Sequence, residues 1–239
     1  MLAARLPQQN RLIASLPASV RRRLSPHLEL VSLEAGEVLY ESGDPLRYVY
    51  FPTDSIVSLL QVMDSGAASE ISVVGSEGMV NIALFMGGER TTSRAIVQIA
   101  GGAFRLEGQL LRDEFNRHGA LLVLVLRYTQ SLFVQMAQAA VCHQYHTIDQ
   151  RLCRWLLLSL DRLPSNQLTV TQQFIGRLLG VRRESVTAAA GKLHALGVIK
   201  YHRGNITVLN RSKLEKLSCE CYALIKKETD LLPSYSAAD

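Results

Sequence analysis

"GVRRESVTAAAGKL", Gly180 to Leu193, holds two arginines, one acid and two hydroxyls, then four small residues in a row. A helix of this composition buries little, so its use must lie on its exposed side. Just upstream, Thr171 is placed to N-cap a helix whose apolar side is Phe174, Ile175, Leu178 and Leu179. Gly180 falls where a helix must turn sharply, as a residue of positive φ often does, and Val181 can pack into the corner. A second helix is predicted from about Arg183, with Val186, Ala189, Ala190 and Leu193 inward. Helix, glycine turn, helix is a helix-turn-helix.

The start of the second helix carries side chains that can read base edges. Arg183 can donate twice to guanine and Glu184 can accept from cytosine; Ser185 or Thr187 can reach phosphate or a thymine methyl. Thr171, Gln172, Arg182 and Lys192 join the expected contact set. Downstream, "GVIKYHRGNITVL" alternates Val198, Lys200, Ile206 and Val208 about Arg203-Gly204-Asn205. That reads as a hairpin, a wing with Arg203 at its tip facing backbone phosphate.

Charge supports a polyanion at this end. Residues 141–220 hold twelve Lys or Arg against five acids, a net +7, in a chain whose total is +5. The remainder is therefore slightly acidic, and a localised basic excess is an electrostatic footprint for nucleic acid. With 239 residues, 48% hydrophobic and 20% charged, the chain is long enough for one large domain or two ordinary ones. The longest apolar run of note, "ALLVLVL" at 120–126, is far short of the ~18 residues of a membrane span. No membrane partner is expected. Prolines at 7 and 17 and the lack of a cleavage signature argue against export. Four cysteines without a framework spacing suit a reducing cytoplasm.

Ahead of the basic section the chain reads in two parts. From about 28 to 104, pieces such as "YVYF", "SIVSLLQVM", "EISVV" and "RAIVQIA" alternate with Gly/Asp turns, which predicts a sandwich or small barrel. Before it, Leu12, Leu16, Val20 and Leu24 keep a helical period that Pro17 must begin or break. From 110 to about 140 there is no proline and one glycine, Gly119, and the spacing predicts one long helix. Leu121, Val125, Tyr128 and Leu132 form one apolar stripe, taken as the dimerisation seam; Leu122, Leu126, Phe133 and Ala137 form its neighbour.

Taken together, these residues resemble the Crp/Fnr family of bacterial transcription regulators over nearly the whole chain. "EAGEVLYESGDPLRYVYF" resembles the start of the family's cyclic-nucleotide-binding-like double-stranded β-helix. "FIGRLLGVRRESVTAAAGKLHALGVIKYHRGNITVL" resembles its winged helix. Arg183 and Glu184 match the family's Arg-Glu pair, whereas Ala188 replaces the usual second arginine. The resemblance implies an α+β fold with a jelly-roll sensor domain (1–109), a dimerisation helix (110–141), a winged helix-turn-helix (142–222) and a tail (223–239). It implies a homodimer on a near-palindromic double-stranded operator, with RNA polymerase as the further partner of such a regulator. The alternative is a ligand-independent architectural or protein-interaction module. No catalytic constellation stands out, and an enzyme is not expected.

In nucleotide-binding members Gly-Glu-Leu and a following arginine hold the ribose and the cyclic phosphate. Here Val80-Asn81-Ile82 stands where Gly-Glu-Leu would be, so the carboxylate is missing. Asn81, Arg90, Thr91, Thr92 and Arg94 remain as the candidate effector pocket, with a cyclic nucleotide its candidate ligand and no cofactor identified. No cysteine precedes Cys142, which excludes an iron–sulfur cluster of the Fnr kind. Cys142, His143 and His146 lie close together, with Cys153 beyond; His143 and His146 could share a helix face, but only a broken helix would bring in both cysteines. Cys219 and Cys221 would diverge by about 200° on a helix, so a shared ion or disulfide would need a turn there. No metal site is expected.

Overall fold

A computed structural model describes residues 5–232. The turn-punctuated region forms seven strands: β1 Glu29–Leu33, β2 Val38–Tyr40, β3 Tyr48–Pro52, β4 Ile56–Val62, β5 Ala68–Val74, β6 Ser93–Ile99 and β7 Gly101–Glu107. They pair antiparallel in two sheets, β1-β7-β3 and β2-β6-β4-β5. Inward residues of both sheets, among them Phe51, Leu106, Val57 and Val97, share one apolar core, which makes the region a sandwich. Before it, α1 (Arg11–Ala14) and α2 (Ala18–Leu24) are separated at Pro17, the N-cap of α2. Leu12, Leu16, Val20 and Leu24 are all buried, as their period predicts.

The long helix departs from expectation in three ways. It is two helices, α3 (Gly108–Phe115) and α4 (Ala120–Tyr145), because His118 adopts a positive φ of 55° and Gly119 is extended. It also runs past residue 141 to Tyr145. Third, the stripe taken for dimerisation is not a surface. Leu121, Val125, Tyr128 and Leu132 are buried in the sandwich core, and Tyr128 Oη donates to Met79 O at 2.9 Å. The large apolar side chains that α4 exposes are instead Val123, Leu126, Phe133 and Val141, with Tyr145 at its end. By length and mean hydropathy (1.4) α4 could cross a membrane, which the run 120–126 alone did not suggest. Its inward stripe is nevertheless filled by the sandwich.

Tyr128 lies against the backbone of Gly78, where a Cβ would stand 2.3 Å from the ring. Gly78→Ala is therefore expected to cost about 1–3 kcal/mol by overpacking. A thermal unfolding curve of that variant superimposing on the parent's would show that α4 does not press there.

The C-terminal section comprises α5 (Ile148–Leu160), β8 (Gln167–Thr169), α6 (Gln172–Leu179), α7 (Arg183–Ala195), β9 (Ile199–His202), β10 (Asn205–Val208), α8 (Arg211–Leu217) and α9 (Glu220–Leu231). The segment from 223, expected as a tail, continues α9 to Leu231 and packs along α4, with Ile225 buried. Residues 233–239 of that expected tail lie outside the described residues.

Strand β4 is buried on both faces. Val57 and Leu59 enter the sandwich core, while Ile56 and Leu60 join a second core with Val73, Ile96, Leu156 and Trp155. Every residue of α5 from Arg151 to Leu160 is buried, because the helix lies between the sheet and the helix-turn-helix. Polar contacts also cross this seam. Arg162 pairs with Glu77 at 2.7 Å, each 3% exposed, and Gln98 Nε2 donates to Ser159 Oγ at 2.9 Å.

Candidate nucleic-acid interface

Thr171 Oγ1 accepts from Phe174 N at 3.2 Å and starts α6. Ile175, Leu178 and Leu179 fill its buried side. Gly180 ends it at φ 63°, a left-handed conformation that costs glycine little. From there α7 departs with Val186, Ala189, Ala190 and Leu193 buried, the inward face that the sequence predicts. Opposite lie Arg182, Arg183, Glu184, Thr187 and Lys192, all exposed. Ser185 is half-buried beside them.

The side chains of Arg182, Arg183 and Glu184 make no hydrogen bond or ion pair among the described residues, so their donors and acceptors are available to a partner. Other residues of the expected set are tied. Thr187 Oγ1 lies 2.7 Å from Gln172 Oε1, which links the two helices at their outer edge. Lys192 Nζ lies 2.7 Å from Asp149 Oδ2 of α5. An exposed pair of this kind contributes ~0–1 kcal/mol, so a phosphate can displace it at little cost.

Strands β9 and β10 form the wing hairpin, and β8 pairs with the far edge of β10. The two residues between β9 and β10, Arg203 (φ 44°) and Gly204 (φ 84°), both have positive φ, which suits the twist of a two-residue hairpin turn. Ile206 and Val208 are buried and Arg203 stands exposed at the tip, without a side-chain partner among the described residues. A cleft of ≈ 350 Å³ lies between this tip and the sandwich, walled by Gly36, Gln98, Val170, Phe174 and Arg203. Sequence reading missed Arg151. It is buried in α5, and its guanidinium donates to Leu179 O, one of the last carbonyls of α6. A cation at a helix C-terminus satisfies an orphan carbonyl and complements the dipole. That contact fixes the helix-turn-helix on α5, and no local pattern announces it.

The candidate effector residues are held by the chain itself. Arg94 Nε pairs with Glu41 Oε2 at 2.6 Å, and Arg90 donates to Gly43 O. Thr91 Oγ1 lies 3.0 Å from Ser93 Oγ, and Thr92 is exposed. Asn81, at φ 85°, donates through Nδ2 to Tyr48 O at 2.8 Å, on β3 rather than on the segment that holds the arginines. The two histidines at the end of α4 also separate. His143 Nδ1 lies 3.3 Å from Ser69 Oγ, and burial, with Arg151 and Arg154 nearby, pushes its pKa down to about 4. His146 turns the other way, toward Glu220.

Two family descriptions match the chain, a cyclic nucleotide-binding domain over 30–118 and a Crp-like helix-turn-helix domain over 150–217. The chain is similar to the global nitrogen regulator of Synechococcus elongatus, 22% identical over 192 residues, which cover 77% of this chain and 86% of that protein. Among solved structures it shares its fold with FixK2 from Bradyrhizobium japonicum (TM-score 0.65, 17% identity, 80% of this chain and 98% of that one). The same holds for a transcriptional regulator of the CRP/FNR family from Thermus thermophilus (TM-score 0.61, 22% identity, 80% and 98%). It holds also for the c-di-GMP responsive global regulator CLP from Xanthomonas campestris (TM-score 0.62, 18% identity, 80% and 99%).

Proposed function

Since this chain belongs to the Crp/Fnr family of transcription regulators, we propose that it acts as a cytoplasmic homodimer that reads a near-palindromic operator. The observation that carries the reading is the row Arg182, Arg183 and Glu184 at the start of α7, without side-chain partners among the described residues, with Arg203 at the wing tip. Arg183 and Glu184 contact base edges; Arg182, Lys192, Arg203 and the hydroxyls of Thr171, Ser185 and Thr187 hold phosphates, with Gln172 bracing Thr187. Two such helices in successive major grooves set half-sites about one helical turn, ~34 Å, apart. The pairing surface is the exposed row Val123, Leu126, Phe133 and Val141 of α4, whose spacings of 3, 7 and 8 residues keep them on one helix face, as a helix seam requires. Residues up to 107 then form the sensor, α3 and α4 the connection, and 148–231 the reader. The reader's role is regulation of transcription rather than catalysis, with RNA polymerase its further partner.

A cyclic nucleotide in this sensor would have to be held otherwise than the family resemblance implies. Arg94 is already paired to Glu41, and no carboxylate replaces the missing glutamate at Asn81. A charged ligand at Arg90 and Arg94 would have to displace Glu41 first.

Selection of random duplex DNA by the purified chain tests the reading. Enrichment of an inverted repeat, with binding that weakens steeply as salt rises, is the expected outcome. Arg183→Ala should then lose about 1–3 kcal/mol of operator affinity and relax the preference at one position of each half-site. Equal binding by Arg183→Ala and Glu184→Ala would remove α7 from the interface. A flat salt response would favour the protein-interaction module instead. Repeating the selection with cyclic nucleotides and cyclic dinucleotides identifies any effector that the first round lacks.

A further inference from the structure

Three of the four cysteines are gathered where the DNA-reading scheme has no use for them. Cys142, Cys219 and Cys221 are buried and form a cluster of their own, apart from both apolar cores. They come from separate elements. Cys142 faces inward from the last turn of α4, and His146 ends that helix in an extended conformation (φ −106°, ψ 144°). Cys219 is also extended (φ −89°, ψ 163°) as the N-cap of α9, and Cys221 lies inside the first turn. The 200° divergence that a continuous helix would impose on Cys219 and Cys221 is therefore removed, because only the second is helical.

The three sulfurs and a ring nitrogen of His146 all lie within 4.8 Å of one another. Cys142 Sγ is 3.6 Å from Cys219 Sγ, and Cys221 Sγ is 3.5 Å from His146 Nδ1. In a tetrahedral zinc centre, with Zn–S about 2.3 Å and Zn–N about 2.0–2.1 Å, the S···S edge is about 3.8 Å and the S···N edge about 3.6 Å. Both measured contacts match these edges. A disulfide would need the sulfurs at about 2.0 Å.

The surroundings fit a ligand set better than apolar filling. His146 Nε2 lies 3.3 Å from Glu220 Oε2. A carboxylate behind a ligating histidine fixes the tautomer and aims the other nitrogen's lone pair at the metal. Thiols that merely fill space need neither the imidazole nor the carboxylate behind it. Three thiolates and one zinc ion leave a charge of −1, and the buried Arg154, whose Nε has no hydrogen-bond partner among the described residues, acts electrostatically on both Cys142 and Cys221.

We propose that Cys142, His146, Cys219 and Cys221 form a tetrahedral structural zinc site. Loading releases the three thiol protons to solvent and forms three Zn–S bonds and one Zn–N bond. All four positions are protein ligands, so none is left for catalysis. The ion joins the end of α4 to the start of α9, across the turn at His146-Thr147 from which α5 leads into the helix-turn-helix. It thereby staples the junction through which α4 sets the angle of the reader, and this stands whether or not the chain binds DNA.

The test uses the full chain, purified under reducing conditions, with metal content measured by atomic emission. One zinc per chain is expected. Replacing it with Co(II) should produce thiolate-to-cobalt charge transfer and the visible bands of tetrahedral cobalt, saturating at one equivalent. Cys219→Ser and Cys221→Ser should lose most of this absorption, whereas Cys153→Ser, whose buried thiol sits elsewhere on α5, should keep it. The site is disproved if the folded parent takes up no stoichiometric cobalt, or if the two serine variants give an unchanged spectrum. Where a variant does not fold, the parent's own stoichiometry and charge-transfer intensity decide.

Discussion

Arg162→Met is expected to destabilise the chain by about 3–5 kcal/mol, because it strands a carboxylate in the interior. The arginine satisfies three groups at once. Nε donates to Glu77 Oε1 at 2.7 Å, Nη1 to Leu158 O at 2.7 Å and Nη2 to Val73 O at 3.3 Å. Its stem crosses Gly75, where a Cβ would stand 2.8 Å from the side chain. Once the guanidinium is removed, Gly75 N, 3.2 Å from Glu77 Oε1, is the remaining donor to that oxygen. Methionine restores much of the volume and none of the charge. In a chain of this length the loss corresponds to a fall in Tm of roughly 10 °C. The double variant Glu77→Leu/Arg162→Met separates the cost of orphaning a charge from the value of the pair. It should recover most of the loss, since a buried pair contributes little net stability over an apolar one. A fall of only 2–3 °C in Arg162→Met (roughly 1 kcal/mol) would mean that Glu77 reaches water.

This pair also shows where sequence reading stops. The inward face of α7 and the wing were legible because each rests on a local rule. Val186, Ala189, Ala190 and Leu193 keep the helical period, and Arg203-Gly204 forms a two-residue turn. For α4 the period was equally visible but ambiguous. Two adjacent stripes were apolar, and only the position of the sandwich shows that Leu121, Val125, Tyr128 and Leu132 face inward. The break at 116–119 had its signal in Asn116 and Gly119, which a count of one glycine passed over. Amphipathic reasoning would put Arg151, Arg154 and Arg162 outside, yet all three are buried because this segment lies between the sheet and the helix-turn-helix. Their partners Leu179 and Glu77 lie 28 and 85 residues away. The cysteine cluster was missed for a related reason. The divergence of Cys219 and Cys221 holds only if both are helical, and the new helix begins between them.

The same seam gives the second large effect, a pH dependence set by Glu70. This carboxyl is buried beside β4, and desolvation pushes its pKa up to about 7, although Ser58, Arg154 and Arg162 pull the other way. The hydrogen bonds agree with a proton being held there. Ser58 Oγ lies 2.6 Å from Glu70 Oε2 and 2.9 Å from Gln98 Oε1. Gln98 Nε2 donates to Ser159 Oγ, and Ser159 Oγ donates to Trp155 O at 2.9 Å. A hydroxyl has one proton to give. Ser58 can therefore donate to only one of them: donating to Glu70 Oε2 it pulls that carboxyl's pKa down, and donating to Gln98 Oε1 it leaves the bond to Glu70 needing the carboxyl itself as donor, which is the arrangement of the protonated state. Folding therefore binds a proton that the unfolded chain, near its ordinary value of 4.5, releases. The stabilisation is fully present below about pH 4.5 and is lost as pH rises through about 7, after which it changes no further. Over that window the loss is on the order of 2–4 kcal/mol. Glu70→Gln keeps a neutral donor at every pH. Its Tm should stay close to the parent's at pH 5 and exceed it at pH 8, the difference isolating Glu70 from every other titrating group. A Tm difference that does not change between those two pH values would mean that Glu70 is ionised throughout. The relay across the seam would then have to run in the opposite direction, from Ser159 toward the sheet.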